Sequence, residues 1–113
     1  MLAGITPGFK MRIDEGDLFA VNSDGYLERI DDWTKKWANH WARKLGFNDG
    51  ANENHVELVK KVQKFYFSHE RLPSFNRVRQ LSGLSTSQIF DLFPNQPEKH
   101  ISMMAGLPGP LTD

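Results

Sequence analysis

The chain has 113 residues, no cysteine, and 14 basic against 14 acidic side chains. This length fits a single domain, and a net charge of zero provides no overall field that would attract nucleic acid or an anionic membrane. The lack of cysteine excludes disulfides, thiolate metal sites and persulfide chemistry. No apolar run approaches the ~20 residues that span a bilayer, so we expect a cytoplasmic protein without a membrane partner.

Residues 9–30 are predicted to form a small antiparallel β-meander. Residues 9–13 alternate in polarity, residues 18–21 are apolar, and residues 26–30 can return as a third strand. Turns at 14–17 and 22–25 connect the three, and Gly25 is free to adopt a positive φ in the second turn.

The first predicted helix is capped by Asp31 or Asp32, extends to about Leu45, and is ended by Gly46. Three tryptophans recur in it at four-residue spacing, which places them on one face: Trp33, Trp37 and Trp41. We interpret this stripe as core or interhelix contact. The alternative is a surface for a partner or for stacking on nucleic-acid bases.

Four further helices follow, each with a start or stop signal. Asn54 and Glu57 resemble a capping box opening a helix to Phe67. Ser74 can cap a short helix over 75–81 that Gly83 ends, Ser85 and Gln88 form a second capping box before a helix that Pro94 stops, and Pro97 begins a last helix over 98–104 that Gly106 ends.

Residues 107–110 contain two prolines and a glycine, so they form an extended or bent arm with few backbone donors to hold it. The predicted fold class is therefore α+β and mainly helical, in one domain over 1–113. It consists of the meander (9–30), an array of about five helices (31–104) and a flexible Pro/Gly-rich C-terminal arm (105–113).

Four segments occur in an order that resembles the DsrC/TusE family: residues 24–27 followed by Asp32 and Trp33, the helix over 59–66, Leu-Phe-Pro at 92–94 followed by Pro97 and Lys99, and Ala-Gly-Leu-Pro at 105–108 followed by Pro110. The resemblance implies the family's fold, a small meander packed on helices. It also implies a setting in sulfur metabolism. DsrC proteins carry sulfur for dissimilatory sulfite reductase, TusE proteins pass sulfur toward a tRNA wobble uridine, and both present a cysteine on a flexible C-terminal arm.

The family's functional positions hold other residues here. Aligning residues 105–108 without gaps places the penultimate cysteine at Asp113 and the second cysteine, which DsrC has and TusE lacks, at Ser102. The arginine and lysine that family members offer after the Pro73-like position become Asn76 and Gln80, while Arg77 and Arg79 fall on other faces. Because aspartate is not a usual replacement for cysteine, we expect a naturally cysteine-free member.

The resemblance and the missing thiols together predict a non-enzymatic protein that binds protein partners of the sulfur-relay or sulfite-reductase type, as a regulator or a competitor. The arm is its predicted docking element: Ala105, Gly106, Leu107, Pro108, Pro110 and Asp113. Asp113 and the terminal carboxylate would give the arm an anionic tip. Sulfur transfer proper is disfavoured. We expect no cofactor or small-molecule substrate. We also expect no metal site, because His40, His55, His69 and His100 are scattered in the sequence and interpreted as surface residues.

The alternative hypothesis is a DNA-binding transcriptional regulator. Residues 74–93 resemble a helix-turn-helix, in which the second helix begins with polar side chains that could meet phosphates or base edges. The predicted DNA contacts are Arg77, Arg79, Ser85, Thr86, Ser87 and Gln88. Capping and ordinary polar surface would also explain these residues.

Overall fold

The computed structural model describes residues 9–13, 16–47 and 50–112. Strands β1 (Phe9–Arg12) and β2 (Leu18–Val21) pair antiparallel, with Phe9 opposite Val21 and Arg12 opposite Leu18. A 3-10 turn at Ile30–Asp32 leads into the helices, which in chain order are α1 (Lys35–Lys44), α2 (Glu53–His69), α3 (Phe75–Ser82), α4 (Thr86–Leu92) and α5 (Pro97–Ala105). The predicted fold class, mainly helical α+β, is confirmed.

The third predicted strand, residues 26–30, is reduced to a single bridge between Val21 and Leu27. One more backbone bond follows, from the Glu28 amide to the Ala20 carbonyl at 3.0 Å. Pairing ends there because the chain bends into the 3-10 turn at Ile30–Asp32. In the described residues the sheet therefore has two strands.

Two predicted helix starts were wrong. Asp31 and Asp32 lie in the 3-10 turn, and α1 begins only after Thr34, so Trp33 stands outside the helix in extended backbone. Helix α2 begins earlier than predicted. Its capping box uses Asn52, whose side chain accepts from the His55 amide at 3.0 Å, while the Asn52 amide donates to His55 Nδ1 at 3.2 Å. An imidazole therefore plays the part usually taken by Glu or Gln.

The remaining helix signals are confirmed. The Ser74 hydroxyl accepts from the Arg77 amide at the start of α3, and Gly83 ends that helix with φ of 73°. The two residues Ser85 and Gln88 form the predicted capping box of α4, and α5 begins at Pro97. Local capping chemistry thus determines the boundaries of the last three helices.

The core has two parts joined by the tryptophan stripe. The larger part lies among the helices, where α5 packs against both α1 and α2. The smaller part lies under the sheet and contains the fully buried Trp37, while Trp33 and Trp41 pack against both parts. The interpretation of the stripe as core contact is confirmed. Within the described ranges, none of the helices is long and apolar enough to cross a membrane.

Candidate functional site: the C-terminal arm and its anchors

The arm begins at Gly106, which ends α5 in the left-handed region with φ of 78°. The Gly106 amide donates to the Met103 carbonyl at 3.2 Å, and the Leu107 amide donates to the Ser102 carbonyl at 3.0 Å. These two bonds form a Schellman ending, which satisfies carbonyls that the helix itself cannot pair. The direction of the arm is therefore set by the helix end and not by a free hinge.

Side chains from α1, from the segment just before α1 and from α2 hold the same end of α5. Three successive carbonyls each accept one side-chain donor: Met103 from Trp37 Nε1 at 2.6 Å, Met104 from Trp33 Nε1 at 2.7 Å, and Ala105 from Gln63 Nε2 at 2.9 Å. The Met103 carbonyl also accepts the Gly106 amide, whereas the carbonyls of Met104 and Ala105 lie where the helix provides no partner. Leaving such a carbonyl buried and unpaired costs about 1–3 kcal/mol. The indole groups therefore anchor the arm's origin as well as filling the core.

The rest of the arm lies on the body of the protein. Its apolar anchors are Leu107, which is fully buried, and Leu111, which is 6% exposed. Four hydrogen bonds fix its backbone: Asn22 Nδ2 to the Pro108 carbonyl (3.0 Å), the Leu111 amide to the Glu98 carbonyl (3.0 Å), the Thr112 amide to the Pro73 carbonyl (3.0 Å), and the Phe75 amide to the Thr112 carbonyl (3.2 Å).

This anchoring corrects the expectation of a loosely held arm. The segment is extended, as its prolines predict, but the donors and acceptors that hold it come from distant parts of the chain. Of the predicted docking residues, Ala105, Gly106 and Leu107 are buried, and Pro108 and Pro110 are exposed. Asp113 lies outside the described residues.

Ser102, the other position that matches a family cysteine, lies on α5 and is fully buried. Its Oγ has no hydrogen-bond partner among the residues that the structure describes. An alcohol enclosed in this way is neither accessible to a sulfur donor nor activated by a neighbouring base. The position is a packing site in this chain.

The side chains at the family's basic positions are engaged by neighbouring arginines. Arg79 Nη1 donates to Asn76 Oδ1 at 3.2 Å, and Arg77 Nη1 donates to Gln80 Oε1 at 2.9 Å. The Arg77 guanidinium also lies over the ring of Phe65, with 6.0 Å between Cζ and the ring centroid. Although the sequence placed the arginines on other faces than Asn76 and Gln80, each guanidinium reaches one of these two side chains. Arg77 and Arg79 border separate clefts.

The residues proposed for DNA contact are all exposed, two of them on α3 and the others at the start of α4. Two of them serve the local structure: Ser85 accepts from the Gln88 amide, and the Gln88 side chain accepts from the Ser85 amide. Thr86 and Ser87 are exposed in the first turn of α4. Helix capping therefore explains Ser85 and Gln88, two of the residues predicted to contact DNA, without any DNA contact.

The prediction of scattered surface histidines was wrong for His40 and His55, which are buried. His55 stacks edge-on against Phe47 and Phe93, and its Nε2 lies 3.0 Å from the Leu92 carbonyl. Burial lowers the pKa of His55, although the bond to Leu92 opposes that shift. Across the described part of the chain, no three His, Asp or Glu side chains converge as metal ligands would.

Sequence reasoning missed the anchors of the arm. Trp33, Trp37 and Gln63 carried no signal beyond helical spacing, and Asn22 was assigned only to a turn. The Asn22 side chain does serve that turn, since its Oδ1 accepts from the amides of Asp24 and Tyr26, while its Nδ2 reaches the arm. The partners are separated by 42 to 86 positions, so no local pattern indicates them.

The architecture is that of a small α+β protein whose last helix leads into a proline- and glycine-rich arm. The family model described as DsrC like protein matches residues 14–112, and the chain belongs to this family. It is a cysteine-free member.

The chain is similar to two curated proteins and to two solved structures over most of their length. The gamma subunit of dissimilatory-type sulfite reductase from Nitratidesulfovibrio vulgaris is 30% identical over 96 residues, covering 85% of this chain and 90% of that protein. The sulfurtransferase TusE of Buchnera aphidicola is 31% identical over 97 residues, covering 80% and 83%. A crystal structure of dissimilatory sulfite reductase I matches with a TM-score of 0.78 and 28% identity, covering 93% of this chain and 99% of that one. The solution structure of Allochromatium vinosum DsrC matches in fold, with a TM-score of 0.77.

Proposed function

We propose that this chain acts without catalysis, by binding protein partners of the sulfite-reductase or sulfurtransferase type, as a regulator of its cysteine-bearing relatives or a competitor with them. The observation that carries the proposal is the state of the arm. The described residues of the arm are anchored on the body of the protein, while the one described position that matches a family cysteine holds a buried serine whose hydroxyl has no hydrogen-bond partner in that part of the chain. Retained geometry without a sulfur nucleophile supports binding as the function.

The anchoring also bears on how a partner would recognise the arm. Releasing the last described residues of the arm exposes the Leu111 side chain, which costs roughly 1.5–3 kcal/mol of free energy. It also breaks three backbone hydrogen bonds, each of which contributes about 0.5–1.5 kcal/mol. A partner that needs the released arm loses affinity in proportion to the small fraction of molecules in that state. We therefore propose that partners contact the arm in place, at its exposed prolines Pro108 and Pro110.

A capture experiment tests the proposal. The purified chain is immobilised and presented with sulfite reductase or sulfurtransferase subunits, beside a variant that lacks residues 107–113. We expect capture by the full chain and its loss in the shortened variant. No capture by either form contradicts the proposed function. Mass spectrometry after incubation with a persulfide donor provides the chemical control, since a chain without thiols should gain no sulfur.

A tether distinguishes recognition of the docked arm from recognition of the released arm. Ser74 and Thr112 form a parallel β-bridge, which brings these two backbones together. The chain has no other cysteine, so the double variant S74C/T112C can form only this disulfide within one molecule. Capture that survives oxidation supports recognition of the docked arm, and capture that returns only on reduction shows that the arm must leave.

DNA binding is the weaker candidate, because the helix capping box already explains the side chains of Ser85 and Gln88. A mobility shift with the upstream region of its own gene across salt concentrations tests it. Phosphate-dominated binding weakens steeply as salt rises, and Arg79→Gln should reduce that slope. No shift at low salt ends this hypothesis.

A further inference from the structure

A cleft of about 460 Å³ opens beside the end of the described arm. It lies between the second half of α2, the connection to α3 and the first turn of α3. Its lining residues are Phe65, Arg71, Leu72, Ser74, Arg77 and Thr112. Within the described part of the chain, the lining thus carries two positive charges and no carboxylate. Neither Arg71 nor Arg77 forms an ion pair with a carboxylate in the described residues.

Arg77 is held in a defined orientation. Its guanidinium lies over the Phe65 ring and donates through Nη1 to Gln80, and its backbone amide donates to Ser74 Oγ. A guanidinium has five N–H donors, so most of them remain for a ligand. Because the side chain is already positioned, a ligand does not have to meet the full entropic cost of ordering it.

Hydroxyl groups complete the donor set. Ser74 Oγ accepts the Arg77 amide but still has its own hydrogen to donate. Thr112, held by backbone bonds to Pro73 and Phe75, is the second hydroxyl-bearing residue of the lining. Guanidinium and hydroxyl donors together are the groups that bind tetrahedral oxyanions in proteins.

The other clefts do not offer this combination. The one between α2 and α4, of about 290 Å³, contains Lys61, but Lys61 pairs with Glu57 at 3.2 Å and Asp91 lies in the same lining. The one on the far side of α3 contains Arg79, whose guanidinium donates to Asn76. The cleft at Arg71 and Arg77 differs from these in combining two arginines with two hydroxyl-bearing residues and, within the described residues, no carboxylate in its lining.

We propose that this cleft binds a small tetrahedral dianion of the sulfate and phosphate class, held by Arg71 and Arg77 with the hydroxyls of Ser74 and Thr112. The site is independent of partner binding, since it is formed by the isolated chain. Thr112 belongs to the lining, so an anion that binds there favours the docked arm over the released one.

The test is a titration of the full chain with sodium sulfate and, separately, sodium phosphate, against sodium chloride at equal ionic strength. Backbone amide shifts in NMR spectra report the site. We expect saturable changes in residues around the cleft with one or both dianions and not with chloride. Arg71→Gln and Arg77→Gln should each weaken the binding by about three- to tenfold.

Arg79→Gln is the matched control, because it removes the same charge from α3 on the side away from the cleft. It should leave the affinity unchanged. An equal loss in R77Q and R79Q, or equal shifts with chloride, overturns the proposal in favour of general charge screening. All three arginines have exposed or half-exposed side chains, and far-UV circular dichroism verifies that each variant is folded. Arg77→Lys keeps the charge without the planar fork and should bind with intermediate affinity.

Discussion

Trp33 Nε1 donates a hydrogen bond to the Met104 carbonyl at 2.7 Å, joining residues that are 71 positions apart. Trp37 makes the equivalent bond to Met103, one residue earlier. The two indoles therefore connect the start of the helical array to the point where the arm leaves α5.

The first prediction concerns this bond. Trp33→Phe keeps an aromatic ring but removes the donor, so the Met104 carbonyl loses its partner. We expect the free energy of unfolding to fall by about 1–3 kcal/mol beyond the loss from reduced ring size. Urea unfolding followed by circular dichroism measures it.

Trp41→Phe is the matched control. Trp41 belongs to the same stripe, but its Nε1 is buried without a partner among the described residues. Removing that group relieves an unpaired donor, so the substitution should cost less than Trp33→Phe. If the two variants lose the same stability, the hydrogen bond to Met104 contributes nothing measurable.

The second prediction concerns Gly106. Alanine there would have to adopt φ of 78°, and its Cβ would stand 3.0 Å from Leu27 Cδ2 and 3.2 Å from Trp33 Cδ1. The left-handed conformation alone costs roughly 1–2 kcal/mol, and the contacts add to it. Gly106→Ala should therefore lower the free energy of unfolding by more than about 2 kcal/mol.

Gly83→Ala separates the two causes. Gly83 has a similar φ of 73° but no atom within 4 Å of the added Cβ. Only the conformational cost applies at that position, so the loss should stay near 1–2 kcal/mol. Equal losses at the two glycines would show that the packing of Gly106 against Leu27 and Trp33 is easily adjusted.

The sequence predicts those features of the fold that depend on neighbouring residues. Ser74, Ser85, Pro97 and Gly106 mark helix ends through their own backbone or side-chain chemistry, and each was placed correctly. The start of α2 was missed because His55 occupies the place where a capping box usually has Glu or Gln.

The contacts of the arm cannot be predicted from its own sequence. Two prolines and a glycine predict an extended segment, but they carry no information on which groups will meet it. Asn22 and Pro73 are distant from the arm in sequence and meet it only in the tertiary structure. An anchored arm and a free arm have the same local sequence pattern, so only tertiary structure distinguishes them.

The third prediction concerns Ser102, the buried position that matches a family cysteine. Because its hydroxyl has no partner among the described residues, Ser102→Ala should leave the stability unchanged or raise it by up to about 1 kcal/mol. The thiol introduced by S102C should react with a thiol reagent only when local unfolding of α5 exposes it.

Thr112→Cys gives the exposed reference, because Thr112 lies at the surface on the same arm. Its thiol should react much faster than that of S102C under native conditions and at a similar rate in denaturant. Equal rates in the native protein would show that α5 opens readily, and the description of Ser102 as a packing site would then be wrong.

The last prediction concerns His55. Its Nδ1 accepts the Asn52 amide, and its Nε2 faces the Leu92 carbonyl, so the neutral ring with a proton on Nε2 satisfies both contacts. A second proton on Nδ1 would point at the Asn52 N–H and break the capping box. Burial also disfavours the charged ring, and the pKa of His55 is therefore lowered in the folded protein.

The direction of the pH dependence follows from the different proton uptake of the folded and unfolded chains. Below the ordinary histidine pKa of about 6.5, the unfolded chain takes up a proton that the folded chain does not. The stabilisation is therefore complete above that pH and is lost as the pH falls toward the lowered pKa of the folded state. Unfolding free energies measured from about pH 7.5 down to pH 5 should decrease, and His55→Gln should flatten the decrease. His69→Gln removes an exposed imidazole from the same helix, so a profile flattened equally by both substitutions would contradict the role assigned to His55.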